Sequence, residues 1–167
     1  MKLIEKLSSK NIYLKLENIY FLILIMLIFF IDRFFKKKII NDYSDNAFFI
    51  NDFVNFDLIW NTGIGFGLLT SDSIIIYNSV TIFIGFVILL LIYTLINSEK
   101  FDKLVFSIII GGAFGNFYDR LFYKAVPDFI DFHYKDLHWF TFNIADIFIT
   151  LGVLIFLTKG FFLKNAK

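Results

Sequence analysis

Residues 74–96 read IIIYNSVTIFIGFVILLLIYTLI, 23 residues without one charged side chain. As a helix rising ~1.5 Å per residue, such a run covers the ~30 Å of a bilayer's hydrocarbon core. Its reading decides the fold class, because an apolar surface on all sides is stable in lipid and not in water. Three other stretches come close to the same pattern: about 19–35, about 104–118 and about 142–163. The rest of the composition agrees. Of 167 residues 58% are hydrophobic, 21% aromatic and 19% charged, with a mean hydropathy of +0.72. This excludes an ordinary soluble domain. The absence of cysteine excludes disulfides, thiolate metal sites and cysteine nucleophiles, and a formal net charge of +1 gives no footprint for nucleic acid. The expected fold is all-α and membrane-embedded with a small β element, a single domain over residues 1–167 with four spans.

Lys2, Lys6 and Lys10 precede the first span in the manner of a signal peptide. No small-residue cleavage site follows, since the apolar core ends in Phe29, Phe30, Ile31 and Asp32, so the segment is read as a retained anchor. An even number of spans puts both termini on one side. Nine basic residues fall on that side and seven opposite, a narrow vote for cytoplasmic termini against which the triplet Lys36, Lys37, Lys38 counts. Of the acids, Glu5, Glu17, Glu99 and Asp102 lie with the termini and the other eleven lie opposite. Residues 39–72 alternate apolar and polar positions, as in Asp52 to Trp60, and are expected to form short strands and turns on the membrane surface.

Carboxylates at membrane depth are costly unless paired, and so point to function. Asp32, Asp119, Asp128 and Asp146 fall at the same boundary of the expected helices. Asn116, Asp119 and Arg120 share one helix face, with Gly111 and Gly115 on roughly the same stripe. The plain alternative is a small-residue packing seam with an ion pair at the helix end. Asn143 and Asp146 are again three apart, which a helix cap would explain in part. Two adjoining carboxylates cannot both ionise cheaply, so one holds a proton and the pair can act as base and acid on water and a carbonyl. Asp119, Asp128 and Asp146 offer three such pairs, and spacing does not choose among them. His133 and His138, near Asp131 and Asp136, match no metal-binding spacing, so no metal is expected. Asn61-Thr62-Gly63-Ile64-Gly65-Phe66-Gly67 lacks the lysine of a phosphate loop; it reads as a flexible turn or as backbone that a substrate approaches closely.

Together these residues resemble the bacterial lipoprotein signal peptidases, the signal peptidase II family of aspartic peptidases. The glycine-rich segment from Asn61 is similar to the family's N-x-G-A-A-F-G, with Gly65 in place of an alanine. The block Gly111 to Arg120 reproduces G-G-A-x-G-N-x-x-D-R, Val126 to Phe132 resembles V-V-D-F, and Phe142 to Asp146 is F-N-x-A-D. The resemblance spans essentially the whole chain. It implies Asp128 and Asp146 as the catalytic pair, Asp119 and Arg120 as support, and Asn61, Gly63, Asn116, Arg120 and Asn143 around the substrate. The family's D-Q-x-[ST]-K pattern keeps Asp32 and Lys36 here, while Arg33 and Phe35 replace the glutamine and the hydroxyl residue. Pro127 before Asp128 is a second departure.

The implied reaction removes the signal peptide of a prolipoprotein on the amino side of a diacylglyceryl-modified cysteine. It needs no cofactor and places a monomer in the bacterial inner membrane, with lipid around it and the active site at the extracytoplasmic face. A small extracytoplasmic sheet with a mobile lid is expected between the first two spans. A proton-coupled transporter or a non-catalytic assembly factor is the alternative, disfavoured because the acids cluster at one interface.

Overall fold

The computed structural model describes residues 16–44, 47–63 and 73–165. These form α1 (Leu16–Asp42), β1 (Phe48–Asn51), β2 (Val54–Asn61), α2 (Ile74–Asn97), α3 (Lys100–Phe122), β3 (Val126–Tyr134), β4 (Leu137–Phe142) and α4 (Ile144–Asn165). The lysines at positions 2, 6, 10 and 15 and the glycine-rich stretch beyond Gly63 lie outside the described residues.

Among the described residues, three helical stretches are long and apolar enough to cross a membrane: Asn18–Asp42, Ile74–Asn97 and Ile144–Phe161. Their outer faces are bare of protein, with Ile75 78% and Ile82 73% exposed, which suits a lipid solvent and not water. Three aliphatic hydroxyls of α2 are satisfied within the helix: Ser79, Thr81 and Thr94 each donate to the carbonyl four residues back. In this way polar side chains are tolerated in an apolar segment.

The fourth helix, α3, is different. Asp102 and Lys103 at one end and Asn116, Asp119 and Arg120 at the other reduce its apolar character, and it is not among the three. It lies at the centre, packed against α1, α2 and α4. Val105, Phe106, Ile109 and Ile110 of α3 build the core with Ile25 of α1 and Leu95 of α2. Its glycines permit that approach. A Cβ on Gly111 would lie 2.8 Å from Ile28 Cβ, and one on Gly112 would lie 2.5 Å from the Ala145 carbonyl oxygen. The small-residue seam is therefore real close packing.

Three sequence-based boundaries are corrected. The first helix continues to Asp42, so Asp32, Arg33 and Lys36 sit inside it, and residues 39–42 are helical. The chain enters α4 only at Ile144, because Phe142 ends a strand and Asn143 caps the helix. The sheet is also larger than expected. Its four antiparallel strands run in the order β1-β2-β3-β4, so half of it comes from the connection between α3 and α4. Strand β3 joins the two hairpins and packs on α1 and α3. The β2–β3 register slips between Phe56 and Ile59, immediately beside the Ile59 to Asp128 pairing. An irregularity of this kind re-aims a neighbouring side chain.

Candidate active site

Asn143 and Asp146 show why the start of α4 is so well defined. The Asp146 backbone N–H donates to Asn143 Oδ1, and the Asn143 N–H donates back to Asp146 Oδ2, both at 3.1 Å. This reciprocal pair is a capping box. It leaves the Asn143 side-chain amide free to donate to Asp128 Oδ1 at 2.6 Å. Capping and site-building are thus performed by the same residue. One further N–H of the helix start, Ala145, donates to Asp32 Oδ1 at 3.0 Å, so an acid of α1 also holds the end of α4.

The two aspartates are then enclosed by amides. Asp128 Oδ2 accepts from Asn61 Nδ2 at 2.8 Å, and Asn61 is oriented by the Gly63 N–H donating to its Oδ1, also at 2.8 Å. Asp146 Oδ1 accepts from Asn116 Nδ2 at 2.8 Å. All four carboxylate oxygens therefore have a neutral donor, and Asn143 joins the two groups. Burial pushes the Asp128 carboxyl up from 3.8 to about 6, and the charge of Asp146 adds to that, while the amides of Asn61 and Asn143 oppose it.

Behind this pair lies a second, ionic layer. Lys36 is fully buried and its ammonium meets three acceptors: Asp32 Oδ2 at 2.9 Å, Asp119 Oδ2 at 2.7 Å and Asn116 Oδ1 at 2.7 Å. Three protons meet three acceptors, which is what a buried ammonium requires. The last of these contacts turns the Asn116 amide so that its nitrogen faces Asp146. Arg33 supplies the second cation. It donates to Asp119 at 2.7 Å and to Asp32 at 3.2 Å, and lies 5.0 Å from the Tyr118 ring centroid. Two acids and two bases cancel. Gly115 makes room for this, since a Cβ there would overlap the Asp32 carboxylate. Asp119 does not pair with Arg120. Arg120 is buried and donates to the Gly63 carbonyl, while among the described residues its Nε and one terminal nitrogen have no acceptor.

The structure brings every sequence-designated site residue into this neighbourhood: Asp32, Lys36, Asn61, Gly63, Asn116, Asp119, Arg120, Asp128, Asn143 and Asp146. Arg33 is the residue that sequence reasoning counted only as a departure. Its signal was available in its charge at membrane depth, but its partner lies 86 positions away. Asp146 opens onto an apolar groove of ≈ 280 Å³ lined by Phe140, Phe142, Ile147, Thr150 and Leu151.

The family model described as signal peptidase (SPase) II matches residues 24–162. The lipoprotein signal peptidase of Pelagibacter ubique (strain HTCC1062) is 43% identical over 166 residues, covering 98% of this chain and 96% of that protein. That of Francisella tularensis subsp. mediasiatica (strain FSC147) is 38% identical over 154 residues, covering 89% and 94%. Among solved structures, a bacterial membrane enzyme determined by the in meso method at 2.3 Å resolution superposes with a TM-score of 0.71. It is 27% identical, and the match covers 89% of this chain and 90% of that one. Matched over nearly its whole length, the chain belongs to the signal peptidase II family and is a peptidase.

Proposed function

We propose that the protein is a membrane aspartic endopeptidase that removes the signal peptide of diacylglyceryl-modified prolipoproteins, cutting on the amino side of the lipidated cysteine. The observation that carries this reading is the pairing of Asp128 and Asp146 through Asn143, with each carboxylate oxygen held by an amide instead of a cation. Such a pair shares one proton. The ionised member takes a proton from water as the oxygen attacks the scissile carbonyl, and the protonated member donates to the developing oxyanion. As the amine leaves, the proton taken from water passes to it and the shared proton returns to the pair.

The unpartnered nitrogens of Arg120 and the Gly63 carbonyl beside them suit an extended peptide, which brings its own acceptors and donors. The apolar groove running from Asp146 along α4 suits an acyl chain or the apolar part of the signal helix. We read all four helices as spans, with α3 shielded from lipid by the other three, both termini cytoplasmic and the sheet at the extracytoplasmic surface of the bacterial inner membrane. The enzyme acts as a monomer on a substrate anchored twice, by its helix and by its lipid.

The test is cleavage by purified protein of matched prolipoprotein substrates with and without the diacylglyceryl group. Mass analysis should find the new amino terminus at the modified cysteine, with the unlipidated substrate left intact. Equal cleavage of both, or a cut elsewhere, would overturn the substrate assignment.

A further inference from the structure

The chain contains two histidines, and the fold delivers both to one carboxylate. Asp131 and His133 are two apart on β3 and share a face; His138 on β4 is the register partner of His133. A slip in the β3–β4 ladder between Phe132 and His133 sets that pairing. His138 Nδ1 lies 2.7 Å from Asp131 Oδ2, and His133 Nδ1 lies 3.5 Å from the same oxygen. One ligand atom from each residue falls within 4.8 Å of the others.

Two buried atoms here lack hydrogen-bond partners among the described residues. His133 is 5% exposed, and its Nδ1 has no hydrogen-bond partner. On its other side, Nε2 lies 3.5 Å from the Asn55 amide nitrogen, while Asn55 Oδ1 is buried and unpartnered. The oxygen and nitrogen of an amide are exchanged by a simple flip. Flipped, Asn55 accepts from His133 Nε2–H, which leaves the Nδ1 lone pair pointing at Asp131 and His138. An imidazole held by a carbonyl on one nitrogen and presenting a lone pair on the other is the usual arrangement of a metal ligand. We propose that Asp131, His133 and His138 form a binding site for a divalent ion of the zinc class, with Asn55 orienting His133.

The dimensions suit such an ion. Zinc with bonds of ~2.0–2.1 Å to nitrogen and oxygen separates tetrahedral ligand atoms by roughly 3.3 Å. The His133 spacing already matches this. The His138 side chain is 58% exposed and can retreat the necessary few tenths of an ångström. Three protein ligands leave a position for water. The ion would tie β4 to β3 three residues from Asp128, so the site is structural and separate from the proposed proton-sharing pair.

The test uses the full chain, purified without a histidine tag, stripped with chelator and titrated with Zn²⁺, and with Co²⁺ as a visibly absorbing substitute. One ion per chain should bind, Co²⁺ should show the spectrum of low coordination by nitrogen and oxygen, and Zn²⁺ should raise the unfolding temperature. Asn55→Ala should weaken affinity by about 10–100-fold. His138→Ala should weaken it by more and should abolish the thermal shift. His138→Ala also removes a hydrogen-bond partner of the buried Asp131, so its thermal shift is read against the variant's own metal-free unfolding temperature, which separates ligand loss from lost stability. Absence of stoichiometric binding to the parent chain, or binding that His138→Ala leaves unchanged, would overturn the proposal.

Discussion

Four carboxylates meet where α1, α3, β3 and α4 come together, and they are held in two different ways. Asp32 and Asp119 are bound by Lys36 and Arg33, so their charges are cancelled by cations. Asp128 and Asp146 are bound by Asn61, Asn116, Asn143 and a backbone N–H, which orient a carboxylate without cancelling its charge. A cation beside a carboxylate opposes proton uptake through its full charge; a neutral amide opposes it less, so that burial prevails at Asp128. The same residue type therefore serves as scaffold in one pair and, in the proposed reaction, as a source and sink of protons in the other. The two layers touch at Asn116, which accepts from Lys36 and donates to Asp146.

The sharpest way to break this distinction is to remove one charge at a time. Asp128→Asn and Asp146→Asn should each reduce cleavage of a lipidated prolipoprotein by about 10²–10⁴-fold or more, the scale of general acid–base catalysis. Both variants should still insert and fold. Asp119→Asn should retain chemistry and lose stability instead. An inactive Asp119→Asn alongside an active Asp128→Asn would exchange the roles of the two pairs.

Next in size is Lys36→Met, which leaves two buried acids facing one arginine. Breaking a buried ion pair from one side costs roughly 3–5 kcal/mol, to be read from thermal unfolding in detergent. Because Lys36 also turns Asn116, the folded fraction should cleave more slowly at unchanged KM. A variant as stable as the parent would show that the ionic layer is not what holds α1 to α3.

Gly115→Ala tests the spacing between layers. Its methyl group would displace the Asp32 carboxylate, and overpacking of this kind costs about 1–3 kcal/mol. The smallest effect is on pH dependence. With Asp128 raised from 3.8 to about 6, the folded state holds a proton that the unfolded state has released. Stability is then greatest below the unfolded value and falls as pH rises through the folded one. The unfolding temperature should decline between those two values, and Asp128→Asn should flatten that part of the profile. An unchanged slope would place the raised group elsewhere.

Much of this arrangement is visible along the chain. The capping box is local, since Asn143 and Asp146 are one turn apart. The glycine stripe of α3 and the alternating pattern of β2 are likewise local, and each was legible as packing seam or strand. The β3–β4 hairpin was not, because Val126 to Phe142 mixes acids, histidines and aromatics without clean alternation, and its turn at Lys135, with φ 54°, carries no glycine. Helix ends were misjudged for a related reason. Asp32, Arg33 and Lys36 look like the end of a span, yet the helix continues because their charges are satisfied inside the protein.

The sequence by itself determined that this is a membrane protein, the centres of its helices but not their ends, that its acids gather at one boundary and which family its motifs resemble. Those properties are read from the spacing of side chains within one element. Which acid is neutralised by a cation and which is cradled by amides was decided only by the tertiary structure. So were the union of both histidines with Asp131 and the conversion of Arg33 from a departure into a partner of Asp119. Each of these depends on contacts between elements far apart in the chain, set by strand register and helix packing, and no local period encodes them.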